Sequence, residues 1–504
     1  MRGKERKLEC GSEMKTFWTL LTLSIISVSL VLAQPLSLYI FSIENTSIHT
    51  PHKSLQITTA QDVGDARSFW ALNFDTMEPY MVDAHLLAIG DHCYIYFDDL
   101  AVSIIGETVA TTRAETYRNE FDNNIYSQVT DLAGNPDGTL GDVDGDQKVY
   151  VLIVEHYQSY YMQSNEVEGE YSNMCEMIYI CYRTTYPVRT MAHEFHHLVW
   201  FNYEWDEVHF VLEGAAEYAM YHSGYLPYSN QTVRVPYFLN DIDDSLIYFE
   251  IEPQDYGACY LLAFYLTEQY GVHFLRDIVQ HEGDGAAGLE TALEAAGHNI
   301  TFNDLYLDWM TALTIDEEGF ADDRFCYRGM DAIIQDYTTI ETLPFQDDSV
   351  PLYCYGSKVY RIISPPDCFR IEMSQPAEEV AGLSVAYRDL HGWHVQQIQE
   401  EGTAVVQVSG DSIEIAHVIA SYLYAETPAG ENDFGSGPSE TVQIVIQEWN
   451  ETSNTPITSP TPPPSTDDHT LTLLVAAGSM PLSATLVVLF LIIKRKEKEK
   501  LGVS

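Results

Sequence analysis

Two pairs of ionisable residues, each pair spaced four apart in a mainly apolar segment, constrain this chain more than any other feature. The first pair is His193 and His197, within Thr190-Met191-Ala192-His193-Glu194-Phe195-His196-His197-Leu198-Val199. The second is Glu213 and Glu217, within Glu207-Val208-His209-Phe210-Val211-Leu212-Glu213-Gly214-Ala215-Ala216-Glu217-Tyr218-Ala219. On a helix, residues i and i+4 share a face. Four such groups are costly to bury unless they satisfy one another or hold an ion. The spacing therefore predicts two neighbouring helices with facing polar stripes, forming either a buried polar network or a metal site.

His193 and His197 can direct two imidazoles at one metal ion. Glu194 stands about 100° further round the helix, beside that position, where a carboxylate can act as base toward a water activated by the ion. His196 could pair with His193 at i+3 but would leave Glu194 badly placed, so it reads as a packing or surface residue. His209, one turn before Glu213, reads as a surface histidine, with support of the reaction as the alternative. Pro187 and Thr190 suit the start of the first helix, and Phe195, Leu198, Val199 and Phe201 supply its apolar side. Asp206 is the expected N-cap of the second helix. Gly214, Ala215 and Ala216 allow another backbone to approach it closely.

His-Glu-Phe-His-His followed by Leu212-Glu213-Gly214-Ala215-Ala216-Glu217-Tyr218 resembles the gluzincin metallopeptidases, and most of all the hyicolysin-like secreted peptidases among them. The likeness spans residues 65–325. It implies that Glu213 is the third zinc ligand, after His193 and His197, and that Glu217 orients a ligand histidine. Leu212 stands where the family usually has Asn, outside the ligand set. The segment Asp255-Tyr256-Gly257-Ala258-Cys259-Tyr260 is similar to a tyrosine-bearing stretch in related peptidases. On that likeness Tyr256, or as second choice Tyr260, would donate to the developing oxyanion, although packing is the commoner role for a tyrosine.

The chain ends speak to compartment. An uncharged apolar run, Thr16–Ala33, follows Arg2, Lys4, Arg6, Lys7 and Lys15 and ends in Val31-Leu32-Ala33. It predicts a secretory signal peptide over 1–33, with an uncleaved anchor as the alternative. A second run spans 469–493, long enough to cross a bilayer, and is followed by a basic tail over 494–504. The expected protein is anchored in the cell membrane by one span, with its bulk outside the cell and its C-terminus in the cytoplasm. The formal net charge of −50 disfavours nucleic acid as a partner. Of the eight cysteines, Cys10 precedes the signal run. The remaining seven are an odd number, so one at least is free or pairs between chains; Cys354 with Cys368 is one possible local pair. Asn45, Asn230, Asn299 and Asn450 begin glycosylation sequons.

In chain order, 34–64 reads as a lead-in or short pro-segment. Strand patterns follow at Phe69–Phe74, Tyr80–Ile89 and Cys93–Phe97, then one long helix over 107–132 with a stripe of Tyr117, Phe121, Ile125, Val129 and Leu132. Asp142, Asp144 and Asp146 alternate in a tight acidic turn and can converge on calcium. Gln147 and Ile153 depart from an EF-hand loop, so the motif reads as a turn leading into the strand Lys148–Val154; a solvated turn is the alternative. A further strand, Glu176–Cys181, precedes the histidine helix. By analogy with the family it is an edge strand that lines the cleft and pairs with an extended peptide. Residues 255–325 read as helical.

The expected architecture is thus α+β: a zincin-like catalytic domain over 65–330, with a mixed sheet, active-site helices and a helical second subdomain. A β-sandwich-like domain over 331–450, a Pro/Ser/Thr stalk over 451–468 and the transmembrane helix follow. The expected function is that of a membrane-anchored extracellular zinc endopeptidase acting on protein or peptide substrates. A catalytically inactive adhesion protein on the same fold is the alternative, against which the presence of Glu194 argues.

Overall fold

Six strands form the first sheet, in the order β1–β2–β3–β4–β6–β5: Ala66–Asn73 (β1), Glu78–Ile89 (β2), Cys93–Asp98 (β3), Val149–Val154 (β4), Tyr160–Tyr161 (β5) and Met177–Cys181 (β6). The computed structural model describes residues 61–134, 144–167, 169–204, 206–226, 234–281, 283–375, 379–423, 433–450 and 455–456. The signal run, most of the lead-in, Asp142, the stalk, the apolar run at 469–493 and the basic tail lie outside the described residues. Among the described residues no helix is long and apolar enough to cross a membrane.

The sheet is mixed. β3, β4 and β6 run parallel, and β1, β2 and β5 join antiparallel. The three central strands are buried along their whole length, as parallel strands covered on both faces must be. Ile95, Phe97, Val151, Ile153, Ile178 and Ile180 face the helices. Tyr94, Tyr96, Tyr150, Leu152 and Tyr179 face a second, aromatic cluster with Phe69. One expectation is corrected here. The strand before the histidine helix is not an edge, because β5 pairs on its outer side, Tyr160 with Tyr179 and Tyr161 with Ile178.

The long helix expected at 107–132 is in fact several pieces. A short helix missed by the sequence, Asp99–Ile105 (α1), starts where Asp98 accepts the Leu100 N–H at 2.8 Å. Gly106, at φ +86°, separates it from Glu107–Glu120 (α2). A π turn over Phe121–Ile125 leads into Tyr126–Ala133 (α3). Successive four-residue spacings drift round an α-helix; the wider π turn brings the stripe back to the sheet. Tyr117, Phe121, Ile125, Val129 and Leu132 are accordingly all buried.

The helices that build the site follow: Pro187–Phe201 (α4), His209–His222 (α5), Arg234–Phe238 (α6) and Pro253–Tyr270 (α7). Phe274–Val279 (α8), Gly285–Ala295 (α9) and Phe302–Ile315 (α10) complete the helical part. Beyond α10 the chain is β-rich. Val380–Asp389 (β11) lies between Gly392–Glu401 (β12) and Ile415–Leu423 (β14), and Ser357–Ile363 (β9) joins β14 to Thr338–Ile340 (β7). The other sheet runs Thr403–Ser409 (β13), Cys368–Ser374 (β10), Ser439–Asn450 (β15), with Phe345–Tyr353 (β8) also paired to β15. The molecule is therefore mixed α+β with a β-rich C-terminal part. The shift near residue 331 marks a change of secondary structure without a break in packing. Thr311 of α10 meets Ser384 of β11 at 2.7 Å, and Tyr306 donates to the Tyr355 carbonyl at 2.8 Å.

Among the described residues no two of the seven cysteines from Cys93 to Cys368 form a disulfide, and six of the seven are buried. Cys354 and Cys368 do not bridge: Cys354 is fully buried, while Cys368 lies against Ser409 at 3.6 Å.

Candidate active site

The histidine helix is positioned by its apolar side. Met191, Ala192, Phe195, Leu198 and Val199 are fully buried, and Phe195 packs on Phe121 and Tyr126 with ring centroids 5.0 and 5.8 Å apart. Pro187 occupies its first turn, where a missing N–H costs nothing. The opposite stripe, at spacings of four, carries Arg189, His193 and His197 into an open cleft of about 790 Å³.

The second helix starts later than expected. Val208, not Asp206, is the N-cap, and α5 begins at His209. The cause is Glu207, whose Oε1 accepts its neighbour's Val208 N–H at 2.9 Å and the Gly285 N–H at 2.8 Å. That arrangement ties the entry of α5 to the first turn of α9. Further along, a Cβ on Gly214 would lie 2.6 Å from the Cys259 carbonyl oxygen of α7, so only glycine permits this approach.

The two helices bring together the groups that the sequence singled out. His193 Nε2 and His197 Nε2 are 3.1 Å apart. Glu213 Oε2 is 3.2 Å from the first, and Oε1 is 3.6 Å from the second. Buried Glu194 supplies a carboxylate oxygen lying, with one nitrogen of each histidine, within 4.8 Å of one another. His193, Glu194 and His197 thus form a group able to hold a metal ion, with Glu213 facing it. Glu213 Oε2 is buried and makes no hydrogen bond of good geometry. A tetrahedral ion with bonds of about 2.0–2.1 Å needs ligand atoms about 3.3 Å apart. The spacings of 3.1, 3.2 and 3.6 Å fit that requirement.

Burial pushes the Glu194 carboxyl up to about 7, with His193 opposing and Glu213 adding to the shift. Burial also pushes His197 down to about 4, keeping its imidazole neutral at neutral pH, as a metal ligand must be. For Glu213 burial alone would raise the carboxyl, but the facing imidazoles outweigh it and hold it at about 2.

Glu217 lies 3.7 Å from His193 Nδ1, longer than a hydrogen bond, and bonds Arg234 at the start of α6. Arg234 also stacks 4.0 Å over the ring of Tyr256. Gly257 permits this by admitting the Arg234 carbonyl, which would lie 2.5 Å from any Cβ there. Tyr256 lines the cleft. Tyr260 is in the core, ring against Phe264 at 5.9 Å. His196 is fully buried against Trp200, ring centroids 5.6 Å apart. The acidic turn is not brought to this site. Asp146 accepts from Tyr94 at 2.6 Å and from Lys148 N–H at 3.2 Å, and Asp144 accepts from Asp146 N–H at 2.8 Å.

Two contributors were not legible in the sequence. Arg234 is one. The other is Asp433, in the β-rich part and fully buried, which holds the His209 backbone N–H at 2.5 Å and His209 Nδ1 at 2.8 Å. Its own carbonyl accepts from Phe249 at 2.7 Å, and neighbouring Phe434 packs on the His209 ring at 4.3 Å while lining the cleft. One acid 224 residues away carries no local signal of such a contact.

No family model matches the chain, and no curated protein matches it. Among solved structures it is similar to a surface-associated copper-binding protein, CorA of Methylomicrobium album BG8, at 8% identity and TM-score 0.16, covering 22% of this chain and 97% of that one. It is also similar to the pre-peptidase C-terminal domain of a Bacillus anthracis collagenase, at 10% identity and TM-score 0.15, covering 22% and 94%. Likenesses at this level carry no argument about fold or activity.

Proposed function

We propose that this chain is a zinc endopeptidase of the gluzincin type, with a zincin-like first part and a sandwich-like C-terminal part. The observation that carries the reading is the convergence of His193, His197 and Glu213 from two helices at 3.1–3.6 Å, with Glu194 beside them in an open cleft. The mixed sheet above the histidine helix supports it. In this reading His193, His197 and Glu213 hold the ion, and Glu217 with Arg234 fixes the face of His193. Of the two carboxylates near the imidazoles, Glu213 is the ligand, because its oxygens approach both Nε2 atoms and it is held ionised.

Zinc held there supplies Lewis acidity toward a water and a peptide carbonyl. Glu194, with its proton affinity near neutral, takes a proton from the attacking water and returns it to the leaving amine. Tyr256, its ring fixed under Arg234, is the donor toward the carbonyl oxygen of the substrate. The sequence supplies the setting: secretion through the N-terminal apolar run and anchoring through residues 469–493.

The test measures zinc content and peptide cleavage by the whole chain, with and without chelator, beside Glu194→Gln. The expected result is one zinc per chain and cleavage lost in the chelated enzyme. Glu194→Gln should keep its zinc and lose at least about 100-fold in kcat. Equal cleavage by Glu194→Gln would refute the mechanism. Zinc binding without cleavage of any peptide would favour the inactive binding protein.

A further inference from the structure

The cleft contains a cation with which no acid among the described residues pairs. Arg189 lies one turn before His193 on the same face of α4 and lines the cleft. Its Nε is buried without a hydrogen bond. No carboxylate among the described residues pairs with it; the ring of Tyr186, 4.5 Å from its guanidinium carbon, is its neighbour. The other two arginines of the cleft are engaged, Arg183 with Glu155 at 2.7 Å and Arg234 with Glu217. In a chain with 75 acidic and 25 basic residues, an arginine without an acidic partner runs against composition. It also runs against local electrostatics, since Arg189 sits in the first turn of α4, where the helix dipole disfavours a cation. A planar guanidinium fork matches a carboxylate, and a buried donor without a partner calls for an explanation.

We infer that Arg189 is a specificity residue that receives a carboxylate of the substrate, so that the cleft selects acidic peptides. The inference rests on the peptidase reading and adds the class of substrate to it. One helical turn of about 6 Å separates Arg189 from His193, about two residues of extended peptide. The carboxylate therefore belongs within two residues of the scissile bond, either on a Glu or Asp side chain or at the chain end.

The experiment compares matched fluorescent peptides on the whole, zinc-loaded chain. One set carries Glu, Gln or Lys at each position flanking the scissile bond, and a second set has a free or an amidated C-terminus. The expected result is a kcat/KM at least tenfold higher for the Glu peptide than for the Gln peptide, expressed mainly in KM. Arg189→Gln should abolish the difference, and Arg189→Glu should shift preference to the Lys peptide, which also shows that the variant is folded. A preference that follows the free C-terminus instead assigns Arg189 to the chain end. Wild type cleaving all the peptides within twofold, or Arg189→Gln keeping the preference, would overturn the inference and leave the peptidase reading standing. If nothing is cleaved, fluorescence anisotropy of the same peptides decides. Tighter binding of the acidic peptide, lost in Arg189→Glu, keeps Arg189 as a carboxylate-binding residue and removes the peptidase reading, whereas equal binding removes both.

Discussion

At the scale of single residues, the site turns on which carboxylate completes the histidine pair. Glu194, buried, and Glu213, partly buried, both stand beside the imidazoles, but their proton affinities are pushed apart, to about 7 and about 2. That separation suits one for moving a proton and the other for holding a cation. Substitution distinguishes them. Glu213→Ala is expected to lose bound zinc, and Glu217→Gln to keep it with about 10–100-fold weaker affinity, because losing the ion pair with Arg234 loosens the support beside His193. Competition against a chromophoric chelator measures both. If Glu213→Ala binds zinc as wild type does, Glu194 is the ligand and the base must be sought elsewhere.

At the scale of elements, the site depends on how closely α5 and α7 approach. Gly214 faces the Cys259 carbonyl at a distance that forbids a Cβ, on the same helix as Glu213. Alanine would favour the helix by about 1 kcal/mol, but forcing atoms into a packed contact costs about 1–3 kcal/mol. Gly214→Val, with more bulk and less helix propensity, is expected to lower the melting temperature by several degrees and to weaken zinc binding by displacing Glu213. Thermal unfolding with and without added zinc checks this; an unchanged melting temperature would mean that the two helices can part freely. The later start of α5 has a similar origin, because Glu207 serves a contact with α9 that no local pattern announces.

At the scale of the whole molecule, buried titratable groups set the pH response. Burial raises Glu207 to about 8 and Glu204 to about 7, with Asp206 adding to the latter, and raises Glu166 well above the usual carboxyl range. Carboxyls raised in the folded state bind more protons there than in the unfolded chain, so stability falls as pH rises from the ordinary range near 4.5 through the folded values. Burial lowers His417 to about 4 and His196 well below its ordinary value. Those groups remove stability as pH falls below about 6.5. The two trends predict a melting temperature that rises as pH falls from about 8.5 to 6.5 and then levels off. Glu207→Gln, which keeps both accepted N–H groups, should flatten the first part. A melting temperature that climbs with pH across this window would contradict the assignment.

The neighbouring helices, their two stripes and the apolar spacing of α2 and α3 were legible because they follow from periodicity within a few turns. His193, Glu194 and His197 share one helix, so their grouping needs no knowledge of the rest of the fold. The position of β5 outside β6, the contact of Glu207 with α9, the pairing of Arg234 with Glu217 and the clamp of Asp433 on His209 were not legible. Each joins residues that no local repeat relates, and only the packing of sheets and helices brings them together. By itself the sequence determined which side chains one helix could offer to an ion. The tertiary structure decided which distant groups face them, because that choice depends on the closure of long loops and on close backbone contacts such as that at Gly214.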